Sequence, residues 1–489
     1  MSPKSEIKTR SRPGNLSVLV VALLALNAPG APSPTPPNFL VILADDLGHD
    51  DVGFNGAKVI RTPHIDALAA SGARLTQFYV QPLCSPTRAA LLTGRYPMRQ
   101  GLQVGVVRPW AQYGLPLDER TMPQALKEAG YGTFIAGKWH LGAHDPAYLP
   151  TRRGFDHHYG HYMGAIDYFT HRRDSGFDWH RDGKVNRDEG YSTDLIAREA
   201  VRIIREQPTS RPLFLYVAFN AVHAPHQVPK PYKDPYAELP EPRRTYAGMV
   251  AAMDEGIGRI LAALDERGLR TNTLVFFSSD NGGPAPGRVT DNGVFRAGKS
   301  TLYEGGVRAA ACVSWPGTIR PGILIDEPMH IVDLYPTFLK LARASLKQSL
   351  PIDGLDIEPV LARNKRSPHD EILLNAEPNR GAIRKGDWKL VINGERRVSE
   401  DGTPESSEDD GSIDEPRIRV SSKKGASVEL FNLARDPEER MNLASEHPEK
   451  VRVLKWAYDR LAAQAIPPKA RPAPRGFKVP AVWGEFGDF

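Results

Sequence analysis

Two adjacent aspartates, Asp45 and Asp46, and the run Asp280-Asn281-Gly282-Gly283 offer hard oxygen donors of the type that hold a divalent cation. Cationic and imidazole side chains sit in comparably distinctive surroundings. Lys138 and His140 lie in Gly-Lys-Trp-His-Leu-Gly, His223 in Ala-Val-His-Ala-Pro, and Lys299 just before Leu302-Tyr-Glu-Gly-Gly-Val-Arg308. Lysines of this kind stabilise negative charge dispersed over a transferring group, and histidines move protons. A further cluster is Cys84-Ser85-Pro86-Thr87-Arg88, followed by Leu92-Thr93-Gly94-Arg95. A lone cysteine is ordinarily an inert core residue, and Cys312, inside the apolar run Ala309 to Val313, fits that description. Cys84 has different neighbours. Taken singly, each residue has a structural explanation: aspartates cap helices, and histidines sit satisfied in cores. The stretch Asp182 to Gly190 lacks the alternating ligands of a calcium-binding loop and reads as an ordinary loop. No His-Glu-x-x-His run or paired-cysteine pattern occurs, which sets the oxygen-rich donor set against zinc.

The elements that must carry these groups are legible as short apolar runs. Asn38 to Ala44 runs into Asp45-Asp46, Thr133 to Ala136 into Lys138 and His140, Pro212 to Phe219 into His223, and Thr273 to Phe277 into Asp280-Asn281. Runs of this kind suit strands buried on both faces of a parallel sheet. Helical patterns lie between them at His64 to Ser71, Thr121 to Ala129, Asp194 to Glu206 and Tyr246 to Arg267. Alternating strands and helices predict an α/β fold with a mainly parallel central sheet, in which ligands bind beyond the carboxyl ends of the strands. Four strands delivering polar residues at those ends predict one site. Further along, Ile372 to Leu374, Trp388 to Ile392 and Val428 to Phe431 read as antiparallel strands, and Lys450 to Ala465 as a final helix. The Ser-, Glu-, Asp- and Gly-rich stretch from Glu395 to Ala426 reads as a mobile acidic insert. The expected organisation is a catalytic domain over 38–368 and a smaller α+β domain over 369–489, with the insert at about 395–426.

The pattern C-x-P-x-R followed by L-T-G-R resembles the signature of the type I sulfatases, members of the alkaline-phosphatase-like superfamily. The resemblance runs from Asn38 to the C-terminus. It implies an alkaline-phosphatase-like fold and oxidation of Cys84 to formylglycine by a formylglycine-generating enzyme. The hydrated aldehyde carries two hydroxyls, one to attack sulfur and one to expel sulfate later, with Arg88 stabilising it. Carried over residue by residue, the resemblance places one calcium ion on Asp45, Asp46, the modified Cys84, Asp280 and Asn281. It places sulfate binding and catalysis on Arg88, Lys138, His140, His223 and Lys299. His140 would help deprotonate the diol, while His223 and Lys299 would hold the ester oxygen and protonate the leaving alcohol. The segments Gln81-Pro-Leu-Cys84, Pro116-Leu-Asp-Glu119, Leu149-Pro-Thr-Arg-Arg-Gly-Phe155 and Tyr246-Ala-Gly-Met-Val250 resemble the arylsulfatase B group, implying N-acetylgalactosamine 4-sulfate as substrate. There are departures. His64 stands where the family often has Asn, two cysteines cannot form the animal enzymes' disulfides, and the expected substrate rim, Gly105 to Tyr113, does not resemble that group closely.

The 489 residues are 40% hydrophobic with a net charge of +5, compatible with a large core and, weakly, with anionic substrates. Lys4, Lys8, Arg10 and Arg12 precede the apolar run Leu16 to Leu26, and small residues follow. This is the layout of a signal peptide over 1–30, joined by a Pro-rich linker over 31–37, and predicts an exported, periplasmic or secreted protein with no membrane insertion after cleavage. Two other readings stay open on sequence: a phosphodiesterase or phosphonate hydrolase of the same superfamily, and a non-catalytic binder of sulfated glycans. No motif points to nucleic acid.

Overall fold

The computed structural model describes residues 1–2, 36–395 and 427–485. The expected signal peptide, most of the linker and the acidic insert beyond Glu395 lie outside the described residues.

A ten-stranded mixed sheet forms the centre of the molecule. In chain order its strands are β1 (Asn38–Ala44), β2 (Ala73–Leu75), β3 (Gly132–Gly137), β4 (His157–Gly160), β5 (His180–Arg181), β6 (Lys184–Val185), β7 (Leu213–Ala218), β8 (Thr273–Ser279), β9 (Ala311–Ser314) and β10 (Ile323–Ile325). Their spatial order is β10-β2-β9-β8-β1-β7-β3-β4-β5-β6. The middle five, β8, β1, β7, β3 and β4, are mutually parallel, and antiparallel strands flank them on either side. The apolar runs became the central strands because every residue of β1, β7 and β8 is buried. The expected loop from Asp182 to Gly190 includes β6, which closes a small hairpin with β5.

Strand periodicity divides the core in two. Phe39, Val41 and Leu43 of β1 face a layer containing helices α2 (Cys84–Thr93), α3 (Met122–Glu128) and α6 (Leu334–Leu341). Leu40, Ile42 and Ala44 face the opposite layer, containing α1 (Pro63–Ala70), α4 (Ser192–Glu206) and α5 (Arg243–Glu266). Period-two alternation thus gives one strand two hydrophobic partners, as a parallel sheet with helices on both faces requires.

A separate four-stranded antiparallel sheet follows: β11 (Ile372–Glu377), β12 (Arg380–Lys385), β13 (Trp388–Ile392) and β14 (Val428–Asn432). Helix α7 (Pro448–Ala462) packs on it through Leu454, Ala457 and Tyr458. This sheet joins the rest of the chain through a fully buried ion cluster. Lys389 lies 2.8 Å from both Glu304 and Glu439, and Glu439 accepts the backbone N–H of Glu304.

Candidate active site

Register alone brings the chemistry together. Ala44 of β1 pairs with Ser279 of β8, Leu43 with Ala218 of β7, and Ala218 with Gly137 of β3. The parallel strands therefore end nearly level, and the next residues, Asp45, Asp280 and Lys138, emerge side by side. The ladder continues past the strand ends: Asp280 N–H donates to Ala44 O, Lys138 N–H to Ala218 O and Asp45 N–H to Ala221 O. Gly137 is needed here. Its φ is +116°, and a Cβ would stand 1.9 Å from Ala218 O.

Cys84 is the first residue of α2, and Arg88 follows one turn later on the same face. The local sequence anchors this helix start. Thr87 Oγ1 accepts the Gln81 N–H, and Ser85 Oγ donates to His140 O while accepting the Val107 N–H. Arg88 Nη2 then lies 2.7 Å from Asp280 Oδ2 and 3.7 Å from Asp45 Oδ2. Lys138 Nζ is 2.5 Å from the same Asp45 oxygen. Lys299 Nζ is 2.8 Å from Asp46 Oδ2 and 3.1 Å from His223 Nε2. All ten residues nominated from sequence (Asp45, Asp46, Cys84, Arg88, Lys138, His140, His223, Asp280, Asn281 and Lys299) are buried in this region. Cys312 lies apart, enclosed in β9.

Oxygen, sulfur and nitrogen atoms of Asp45, Asp46, Cys84 and His223 lie within 4.8 Å of one another, a cluster able to hold a metal ion. Asp280 and Asn281 border it. Asp280 engages Arg88 and the Asp46 N–H, and the Asn281 amide donates to Asp46 Oδ1 at 2.7 Å. Asn281 Oδ1 is buried without a hydrogen-bond partner among the described residues. Burial, then the Asp280 carboxylate, pushes Asp45 up to about 7. Burial, then Asp280, also raises the Cys84 thiol well above its ordinary value, so the unmodified side chain stays protonated.

The two histidines are oriented by backbone carbonyls. His223 Nδ1 lies 2.6 Å from Ala224 O, which assigns the proton to Nδ1 and leaves Nε2 to accept from Lys299. His140 Nε2 lies 3.2 Å from Val107 O, leaving Nδ1 buried without a partner among the described residues. Burial, then Lys138, lowers His140 well below its ordinary value, with Arg173 adding to the effect. His140 has a φ of +56° and Asp46 one of +64°, left-handed conformations that concentrate at working sites. Gly164 lies against the His140 ring, where a Cβ would come within 2.5 Å.

A pocket over Cys84 is lined by His140, His223 and Lys299, and also by Val106, Val107, Arg108, Pro109, Gly164 and Arg173. The stretch Val106 to Pro109 falls within the segment expected to form the substrate rim. Arg173 was not legible in sequence. It sits in Arg172-Arg173-Asp174, a charge run that looks like solvated surface, and only the hairpin of Arg172–Arg173 with Gly176–Phe177 turns it inward.

The chain matches the family model described as Sulfatase over residues 37–344. It is 36% identical to arylsulfatase J of Mus musculus over 93% of this chain and 81% of that protein. It is 37% identical to N-acetylgalactosamine-6-sulfatase of Mus musculus over 71% of this chain and 70% of that protein. Among solved structures, Ps i-CgsB in complex with k-i-k-neocarrahexaose superposes with a TM-score of 0.77 at 31% identity, covering 89% of this chain and 94% of that one.

Proposed function

The chain belongs to the sulfatase family and is a sulfuric ester hydrolase; from that premise we propose that it cleaves the sulfate ester of a sulfated sugar, using a formylglycine made from Cys84 and one calcium ion. The observation that carries the reading is the level ending of four parallel strands around the start of α2. It sets Cys84 among buried carboxylates on one side and Lys138, His140, His223 and Lys299 on the other.

The side chains suit a hard cation. Asn281 Oδ1 is a buried carbonyl oxygen lacking a partner among the described residues, and the crowded Asp45 and Asp280 carboxylates are what a divalent charge relieves. Calcium on Asp45, Asp46, Asp280, Asn281 and the modified Cys84 would neutralise a sulfate oxygen. The hydrated aldehyde would supply the attacking hydroxyl and a second one that lets sulfate leave. Around them the chain supplies charge and protons. Arg88 and Lys138, fully buried, place fixed positive charge beside Asp45, where negative charge develops without water to screen it. His140, neutral with its lone pair on Nδ1, is the base that takes a proton at the position of the Cys84 side chain. Lys299, shared between Asp46 and His223 Nε2, is the acid for the leaving alcohol.

Several features support a sugar substrate. The relatives include an N-acetylgalactosamine-6-sulfatase and a structure holding a neocarrahexaose. The N-terminal stretch supports export, where polysaccharides are met, and the motif at Cys84 supports maturation by a formylglycine-generating enzyme. The flanking segments that resemble the arylsulfatase B group support N-acetylgalactosamine 4-sulfate as the single substrate to test first. The experiment is sulfate release from chondroitin, dermatan, carrageenan and fucoidan fragments, with a phenyl phosphonate as control. Release from the N-acetylgalactosamine 4-sulfate units is expected. Activity confined to galactose or fucose sulfates would remove that sugar, and preference for the phosphonate would remove the ester class.

A further inference from the structure

Away from Cys84, the second sheet encloses a cavity of about 980 Å³ together with α7 and the segment from Ala465 to Pro468. The pocket over Cys84 spans about 20 Å³, which leaves no room for a sugar ring. The body of any saccharide that delivers its ester there must lie against neighbouring surface. The two hollows share walls. Gln103 lines the larger one, and the same stretch of chain goes on to line the Cys84 pocket through Val106 to Pro109. Arg380 also lines the larger one, and its Nη2 donates to Ser300 O at 2.5 Å, next to Lys299 of the Cys84 pocket.

The charges around the larger cavity are matched in place. Lys455 Nζ lies 2.6 Å from Asp459 Oδ1, and Arg380 Nη1 lies 3.2 Å from Glu377 Oε1. Two cations and two anions thus face the cavity as pairs, so it calls for no net charge in its occupant. Gln103 adds an acceptor with nothing to accept. It is 2% exposed, its Nε2 donates to Ile466 O, and its backbone O takes the Asn375 amide. Both bonds hold the side-chain amide in one orientation, and Oε1 is left without a partner among the described residues. A buried acceptor in that state is completed by a ligand hydroxyl. Ala462, Ile466 and Pro467 supply the apolar part of the wall. A ring with C–H faces and hydroxyls around its edge suits this mixture, and the volume stands at the upper end of small-molecule sites.

We propose that this cavity is a saccharide subsite, holding uncharged sugar units of the same chain whose sulfate enters the Cys84 pocket. This rests on the sulfatase reading and deepens it: the substrate is an oligosaccharide gripped over several rings, not a sulfated monosaccharide. The second sheet and α7 then serve substrate recognition as well as packing.

The test has a kinetic and a binding arm, both on full-length protein. The kinetic arm compares kcat/KM for a di- and a hexasaccharide of one backbone, each uncharged apart from a single sulfate on its terminal sugar. The hexasaccharide should exceed the disaccharide by roughly 10- to 100-fold, the range of two or three added hydrogen bonds. Asn379→Trp, at the exposed β11–β12 turn, and Lys455→Trp, on the solvent side of α7, each fill the cavity from its rim. Each should bring that ratio towards unity while leaving turnover of an aryl sulfate unchanged, which also shows that the variant is folded. Equal kcat/KM for the two lengths, or a ratio unmoved in both variants, overturns the proposal. The binding arm measures Kd on Cys84→Ala protein for two uncharged probes, desulfated carrageenan hexasaccharide and desulfated, carboxyl-reduced chondroitin hexasaccharide. Saturable binding of at least one, lost when Asn379→Trp is added, is expected. Binding of neither overturns the subsite even if aryl sulfate is hydrolysed. If wild-type protein releases no sulfate but this binding and its loss remain, the subsite stands and the catalytic reading fails.

Discussion

At Cys84 a thiol is poorly placed to act as itself. Burial and Asp280 keep it protonated, and its Sγ lies 3.6 Å from Asp45 Oδ1, an acidic rather than activating neighbour. An aldehyde hydrate has no such dependence on a thiolate. Asp280 has two tasks that one substitution separates from packing: it borders the cation cluster and it fixes Arg88 through Nε and Nη2. Asp280→Ala should therefore lose bound calcium and reduce kcat by at least about 100-fold, the scale of removing a preorganised electrostatic group. Metal analysis and kinetics on the same preparation check this. Calcium retained at full stoichiometry, or stoichiometric zinc in active wild-type protein, contradicts the ligand assignment.

Among the elements, β4 carries a buried liability. His158 is fully buried, stacks on Tyr162 at 5.1 Å, and neither ring nitrogen has a partner among the described residues. Burial, then His180, lowers it from 6.5 to about 3. The sign follows from proton binding. Above 6.5 neither folded nor unfolded chain is protonated there, so the group contributes no pH dependence. Below 6.5 the unfolded chain takes up the proton first, so stability falls with pH and levels off only near 3. His158→Phe keeps the stack and should remove about 2 kcal/mol of the stability lost between about pH 7.5 and about pH 5, measured by urea unfolding at both. An unchanged acid limb contradicts it. The second sheet makes a different demand. Lys389 on β13 sits between Glu304 and Glu439, while Arg380 Nη2 holds Ser300 O and Leu302 N–H donates to Gly394 O. These contacts fix the loop that carries Lys299. Lys389→Met takes from Glu439 its cation and leaves Glu304 with Arg308, 3.2 Å away, and should cost about 3–5 kcal/mol. Adding Glu304→Gln and Glu439→Gln should recover part of that loss in the same unfolding assay. No recovery would mean the cost lies in packing.

Across the whole molecule, legibility in sequence tracked burial. The central strands declared themselves because both faces are apolar, and each ended on the polar residues it delivers. The helix that begins at Cys84 did not: every residue of Cys84–Thr93 is buried, so no amphipathic stripe marks it. Strand β12, Arg-Gly-Ala-Ile-Arg-Lys, hid behind cations that are buried by pairing, Arg384 with Tyr79 Oη at 2.6 Å among them. The ten site residues were nominated by motif, and register explains why they meet. Arg173 needed the pairing of Arg172–Arg173 with Gly176–Phe177, two-residue strands too short for any hydrophobic alternation to announce. No helix among the described residues is long and apolar enough to cross a membrane. What the whole assembly rests on is the chemistry at one side chain. The direct measurement is the mass of the Cys84 peptide from natively expressed protein that releases sulfate from an aryl sulfate. A formylglycine at Cys84 makes that peptide lighter than its thiol form, as exchange of a thiol for an aldehyde requires and as no step of ordinary thiol oxidation produces. Fully active protein whose Cys84 peptide carries only the unmodified thiol would contradict it.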